Sequence, residues 1–310
     1  MNPELYILGS SSATPTRERH PSAQLLKLEN EKIIIDCGEG TQSQFLRYGL
    51  RHTSVNIICI SHLHGDHYFG LIGLISTMSL MGRVNPLQII GPPGLKEILE
   101  LQISHGGLAL KFKLEFITTS SDKFEFILKT PLFEISSFPL KHRIHCAGFL
   151  IKETNKEKHL NMEVISKLNI PFKFYKDIKA GEDYISSDGV RIENNKLTFD
   201  PEMPKTYAYC SDTIYDESIV QYIKNATVLY HEATFLKNLE DRAALYYHST
   251  AEQAAKIAKS ANVGQLLIGH FSSRYDHLKP LLDEAREIFQ HTQLALEGEK
   301  FFIENLSDPK

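Results

Sequence analysis

The chain reads as an α/β protein whose sheets are covered by helices, not as an all-β or all-α chain. Three observations carry this reading. Short runs rich in Ile, Val and Leu recur along the first 150 residues, and helix-like stretches lie between them. After a polar interval, strand–helix alternation resumes beyond residue 204.

The runs at 5–8, 24–28, 32–35, 55–60 and 87–90 are short and bounded by Gly, Pro or Asp, which favours strands over helices. Helices are expected at 41–48, 68–81 and 94–103, the last after Pro92-Pro93. Gly91-Pro92-Pro93-Gly94 punctuates a strand-to-helix junction. From 112 to 152 the pattern turns to consecutive strands, including 133–137 and 148–151. Residues 154–200 are polar, with Phe172, Phe174, Tyr175 and Tyr184 interleaved and no run long enough for a core strand. Lys152, Lys156, Lys158, Lys167, Lys173, Lys176 and Lys179 outnumber the four acids of 151–180, a local balance of +3. The plain expectation is a long, partly mobile surface insertion; the sharper one is a protruding arm that touches an anionic partner. Strands follow at 206–209, 227–230 and 265–268, helices at 250–260 and 279–290, and a closing strand near Phe301. No internal repeat or low-complexity tract interrupts them.

At 310 residues, 42% apolar and 23% charged, the chain can bury a sizeable core, which excludes a disordered, fibrous or disulfide-scaffold protein. Net charge −4 gives no global basic footprint, so any nucleic-acid binding rests on a local patch. Cys37, Cys59, Cys146 and Cys210 are scattered, form no C-x-x-C, and lie in or beside apolar segments as small buried hydrophobes. The N-terminus lacks the pattern of a signal peptide. The longest apolar stretch, 71–81, is broken by Gly73, Ser76, Thr77 and Ser79 and is too short for a bilayer. The expectation is a reduced, soluble, cytoplasmic protein without a membrane partner. Fourteen histidines against no tryptophan is the one oddity.

The apolar run Ile57-Ile58-Cys59-Ile60 leads straight into Ser61-His62-Leu63-His64-Gly65-Asp66-His67. His62 and His64 leave an extended segment on the same side and can grip one metal ion; Asp66 and His67, on the turn into a helix, can reach a second. Imidazole nitrogen and carboxylate oxygen are the ligands of open catalytic zinc sites, whereas structural zinc favours thiolate. Four ligands do not complete two sites. His142, Asp212 and His270 each stand just past the C-terminal end of an apolar run, where α/β folds gather their sites, and Asp212 as a carboxylate can bridge two ions.

This order of ligands resembles the metallo-β-lactamase superfamily, and within it the short form of ribonuclease Z, the tRNA 3′-processing endonuclease family. The supporting stretches cover nearly the whole chain. They include residues 8–19, Asp36-Cys37-Gly38-Glu39-Gly40-Thr41-Gln42, His231-Glu232-Ala233-Thr234-Phe235, His248-Ser249-Thr250-Ala251 and Gly269-His270-Phe271-Ser272-Ser273-Arg274-Tyr275. One departure stands out: the family's arm carries a Gly-Pro pair soon after Ile/Val-Pro, whereas Ile170-Pro171 is followed here by Phe172-Lys173-Phe174-Tyr175.

The resemblance implies an αββα sandwich formed by a single catalytic domain, 1–310, with residues 154–200 as an inserted substrate-binding arm. It implies two zinc ions per chain, one on His62, His64 and His142, the other on Asp66, His67 and His270, with Asp212 bridging. The substrate implied is precursor tRNA and the assembly a homodimer. The products implied are a tRNA 3′-hydroxyl and a trailer 5′-phosphate. Asp66 is implied to orient or deprotonate water. His248, which by itself reads as a neighbour of a helix N-cap at Thr250, becomes a candidate to protonate the leaving 3′-oxygen, with Glu232 fixing its tautomer. Arg17, Arg19 and Arg274 could each meet a phosphate or simply face solvent. The remaining histidines read as spectators. Two rival readings are another binuclear metallohydrolase acting on a small molecule, and a metal-loaded binding protein without turnover. The lysine–aromatic segment argues against the first, the full ligand set with His248 and Glu232 against the second.

Overall fold

Side chains alternate between the two faces of a strand, and here both faces are apolar, so each sheet is covered on both sides. In the computed structural model, which describes residues 2–154 and 157–304, the chain begins with β1 (Glu4–Gly9), β2 (Ala23–Leu28) and β3 (Glu31–Cys37). Helix α1 (Thr41–Arg47) leads to β4 (Ile57–Cys59), and α2 (Gly65–Tyr68) and α3 (Leu71–Leu80) precede β5 (Leu87–Gly91). Helix α4 (Leu95–His105) and β6 (Leu114–Thr118) complete the first half. The chain then crosses to a second sheet with β7 (Glu125–Lys129), β8 (Phe133–Pro139) and β9 (Ala147–Glu153).

Within the interval that follows lie β10 (His159–Leu160), α5 (Met162–Lys167), α6 (Tyr175–Lys179), β11 (Tyr184–Ile185), β12 (Arg191–Ile192), α7 (Asn194–Leu197) and β13 (Thr198–Phe199). Alternation then resumes with β14 (Thr206–Cys210), α8 (Val220–Ile223), β15 (Val228–Glu232), α9 (Glu240–Leu245), α10 (Ala251–Ser260), β16 (Gln265–Gly269), α11 (Lys279–Ile288), β17 (Thr292–Leu294) and β18 (Lys300–Phe302).

The first sheet has the order β18-β1-β2-β3-β4-β5-β6 and the second β17-β16-β15-β14-β9-β8-β7. In each, a parallel run (β3 to β6; β14 to β17) is extended by antiparallel pairs. The alternation sorts the cores. Leu5, Ile7, Ile33, Ile35, Ile57 and Cys59 meet Phe149, Ile151, Tyr207, Tyr209 and Tyr230 between the sheets. Leu8, Ile34, Ile58 and Ile60 face outward onto Phe45, Leu74, Ile75 and Leu99 of the first helical layer. Ala208, Leu229, Leu266 and Ile268 face Ala254, Ala258 and Leu281 of the second. The layers run helix, sheet, sheet, helix. Each fully buried Ile or Leu contributes about 1.5–3 kcal/mol relative to exposure.

Two local expectations change. The helix read across 68–81 is broken at Phe69-Gly70, because the Gly70 N–H bonds to the Cys37 carbonyl. A Cβ at Gly70 would lie 2.1 Å from the Gly38 carbonyl oxygen, so this approach needs glycine. The interval after β9 is more ordered than a surface loop. The chain divides into two compact units, one of Met1–Lys152 with Lys205–Lys310, the other Glu153–Pro204. The second has its own small core of Ile165, Ile170, Ile178 and Leu197. Lys156, counted in the basic balance, lies outside the described residues. All four cysteines are buried and free.

Candidate metal centre

Strand ends build the site. His62, His64, Asp66 and His67 follow β4, the last two on α2; His142 follows β8, Asp212 β14 and His270 β16, while Glu232 ends β15. These residues converge at one end of the two sheets, with His248, two residues ahead of the Thr250 N-cap of α10, beside them.

The spacing of the ligand atoms is specific. His64 Nδ1 lies 3.1 Å from His62 Nε2 and 3.1 Å from His142 Nε2. Asp212 Oδ2 stands 3.6 Å from His62 Nε2 and 3.9 Å from His142 Nε2. On the other side, Asp66 Oδ2 is 3.3 Å from both His67 Nε2 and His270 Nε2. Asp212 Oδ1 is 3.4 and 3.2 Å from the same two nitrogens. A tetrahedral ion with ligand bonds of about 2.0–2.1 Å sets its ligand atoms about 3.4 Å apart. The donors therefore fit the corners of two such polyhedra that share the Asp212 carboxylate.

Two further features fit cations. His67 Nε2 and Asp212 Oδ1 are buried with no hydrogen-bond partner among the described residues, an arrangement that is costly unless something positive stands there. The imidazoles are also tautomerically committed. His67 Nδ1 is 2.7 Å from Asp36 Oδ2, and His142 Nδ1 is 3.0 Å from the Tyr247 carbonyl, so both donate there and leave Nε2 as a free ligand atom. The Ser61 hydroxyl donates to Asp36 Oδ2 and so accepts from His62 Nδ1, 3.0 Å away. The Thr234 hydroxyl donates to Glu232 Oε2 at 2.6 Å and accepts from His270 Nδ1 at 3.0 Å.

Glu232 is wholly buried and takes the Thr213 N–H at 3.0 Å and His248 Nδ1 at 2.9 Å on one oxygen. Burial alone would lower the His248 pKa, but the Glu232 and Asp212 carboxylates outweigh it and push the imidazole up to about 9. Burial also raises Asp66 and Asp212, yet the surrounding imidazoles hold both well below the usual carboxylate range. Burial pushes His62 well below an ordinary histidine.

Asp36, Ser61, Thr234 and Tyr247 carry no metal-ligand spacing in the sequence; their part is visible only from the donors they meet. Strain marks some of them. Asp36, Tyr247 and His270 have φ of 56°, 59° and 58°, as does Ala13 at 60°, whose N–H donates to Asp66 Oδ2 at 2.7 Å. Over the ligands opens a cleft of about 480 Å³ lined by Ser12, Glu39, Phe69, Arg143 and His248 among others. Of the other arginines, Arg19 is tied to the Ser272 and Tyr275 carbonyls and Arg274 lies over the Phe235 ring at 5.0 Å.

Fold and site together define a metal-dependent hydrolase of the metallo-β-lactamase fold. The short form of human tRNase Z superposes with a TM-score of 0.70 at 25% identity, covering 97% of this chain and 99% of that one. A metallo-β-lactamase-fold protein from Bacillus subtilis superposes with a TM-score of 0.69 at 19% identity, covering 97% and 100%. Ribonuclease Z of Cytophaga hutchinsonii is 47% identical over 308 residues, 98% of this chain and 97% of that protein. Ribonuclease Z of Phocaeicola vulgatus is 42% identical over 303 residues, 98% of each. The chain belongs to the ribonuclease Z family and, over residues 3–279, to the family described as Anti-Pycsar protein Apyc1.

Proposed function

We infer that this chain is a metal-dependent endoribonuclease that cuts the 3′ trailer from precursor tRNA. The observation that carries the reading is the doubly tetrahedral spacing of seven donor residues, Asp212 among them and shared by both sets, joined to the family assignment. His62, His64 and His142 would hold one zinc ion, Asp66, His67 and His270 a second, and Asp212 would touch both. When bound, such ions supply positive charge to a phosphodiester and make water acidic near neutral pH.

The chain's own groups supply the rest. Asp66, which lines the cleft, orients the attacking water and takes its proton. His248, held protonated by Glu232 and presenting Nε2, gives its proton to the departing 3′-oxygen as the phosphorus–O3′ bond breaks. The tRNA keeps a 3′-hydroxyl and the trailer a 5′-phosphate.

The unit Glu153–Pro204 serves in this reading as the tRNA-gripping arm. Support comes from Phe172, 82% exposed, and from Lys173 over the Phe174 ring at 4.9 Å. Lys158 and Lys167 are taken up by Asp200 and Glu163, whereas Lys173, Lys176 and Lys179 pair with no acid among the described residues. Over 153–204 as a whole, ten acids face eight Lys and Arg, so the basic character is confined to these lysines. We take the active form to be a cytoplasmic homodimer; exposed Leu46, Leu80 and Met81 on and beside α1 and α3 suit an interface, and no described helix is long and apolar enough to cross a membrane. The test is to incubate zinc-loaded protein with a 3′-extended precursor tRNA and map both product ends. An uncut precursor beside rapid hydrolysis of a small phosphodiester would replace this reading with a small-molecule phosphodiesterase.

A further inference from the structure

Asp36 is a buried carboxyl group behind the ligands that accepts four hydrogen bonds. It lies on β3 of the first sheet with no exposed surface. Its Oδ1 accepts the Ser61 N–H at 2.8 Å, and its Oδ2 accepts the Ser61 hydroxyl at 2.9 Å and His67 Nδ1 at 2.7 Å. The third partner of Oδ2 comes from the opposite sheet: the Tyr209 hydroxyl of β14, at 2.6 Å. Three residues further along, the same stretch of chain delivers Asp212. One register therefore places the shared carboxylate in front of His67, beside Nε2, and the hydroxyl behind it, on the Asp36 that takes Nδ1.

We infer that Tyr209 is a positioning residue of the metal centre. By bracing Asp36 from across the sandwich, it aims the His67 imidazole at the point that His67 shares with Asp66, His270 and Asp212. The inference rests on the two-ion reading above. A buried oxygen that accepts several donors holds each of them within a narrow arc, and removing one donor widens the arc open to the rest. The Tyr209 ring is separately fixed, stacked on Tyr230 at 4.9 Å and 11°, so Tyr209→Phe removes the hydroxyl and keeps the packing.

The strand supplies its own control. Tyr207 is equally buried, and its hydroxyl donates to Gln24, away from the ligands. The experiment titrates full-length wild-type, Tyr209→Phe and Tyr207→Phe proteins with cobalt(II), reading visible absorption, and with zinc in competition with a chromophoric chelator. Tyr209→Phe should lose about 10–100-fold in affinity for one ion, with an altered cobalt spectrum, while the other ion and the Tyr207→Phe protein stay near wild type. Two ions in wild type with unchanged affinities and spectrum in Tyr209→Phe would sink the inference alone. Equal losses in both variants would also sink it, since they mark general loosening. A wild type without an ion on the His67 side would remove the two-ion reading and this inference together.

Discussion

A histidine works as an acid when a carboxylate keeps it protonated and on target, and Glu232 is placed to do this for His248. His248→Ala should lower turnover of precursor tRNA by about 10²–10⁴-fold with metal content retained. Metal analysis separates the alternatives: loss of an ion would make His248 a ligand, and unchanged turnover would leave it a mere neighbour of the Thr250 cap. Asp212, whose two oxygens face different imidazole pairs, should behave unlike any single-sided ligand. Asp212→Ala should empty both positions and His142→Ala mainly one, read as ions per chain; two tightly held ions in Asp212→Ala would overturn the bridging role. The metal-ligand positions were legible in the sequence because they stand where apolar strands run out, whereas His248, which follows α9, stood out only through the family resemblance. Asp36, Thr234 and Tyr209 were not legible, because what they do depends on partners carried by other strands.

Elements were legible to the extent that their own period and boundary residues decide them. The helix 250–260 is such a case. Thr250 accepts the Gln253 N–H while the Gln253 side chain accepts the Thr250 N–H, a reciprocal cap that closes the first turn of α10. Thr250→Ala should cost about 1 kcal/mol, visible as a lower Tm. The unit Glu153–Pro204 is the opposite case. Its four core aliphatics are spaced too widely for a strand or helix period to emerge, so only folding brings them together. The crossing from β6 to β7, likewise, is a matter of pairing between sheets and not of local pattern. Replacing this unit with a short loop between β9 and β14, already paired from Thr206↔Lys152 to Tyr209↔Phe149, should preserve metal binding and hydrolysis of a small activated phosphodiester. Cleavage of precursor tRNA should collapse through lost binding. The combined Lys173→Ala, Lys176→Ala and Lys179→Ala protein should show a milder defect and a shallower salt dependence. Equal tRNA affinities for armless and full-length proteins at one salt concentration would take the arm out of recognition.

For the molecule as a whole, the donors are divided between the sheets: four follow β4 of the first, and His142, Asp212 and His270 follow strands of the second. Ions seated among them would clamp the two halves together, and the unfolded chain could not hold them in this way. By mass action, free ion at about 100 times its dissociation constant adds about 2.7 kcal/mol to stability per site. In a chain of 310 residues that is worth about 4 °C in Tm per site. Chelation should therefore lower the melting temperature by at least this much, and a transition unmoved after verified metal removal would contradict the clamp. The consequence reaches past catalysis. A population that loses its ions opens more often and is cut sooner by proteases, so scarcity of metal would thin the protein's numbers as well as silence it.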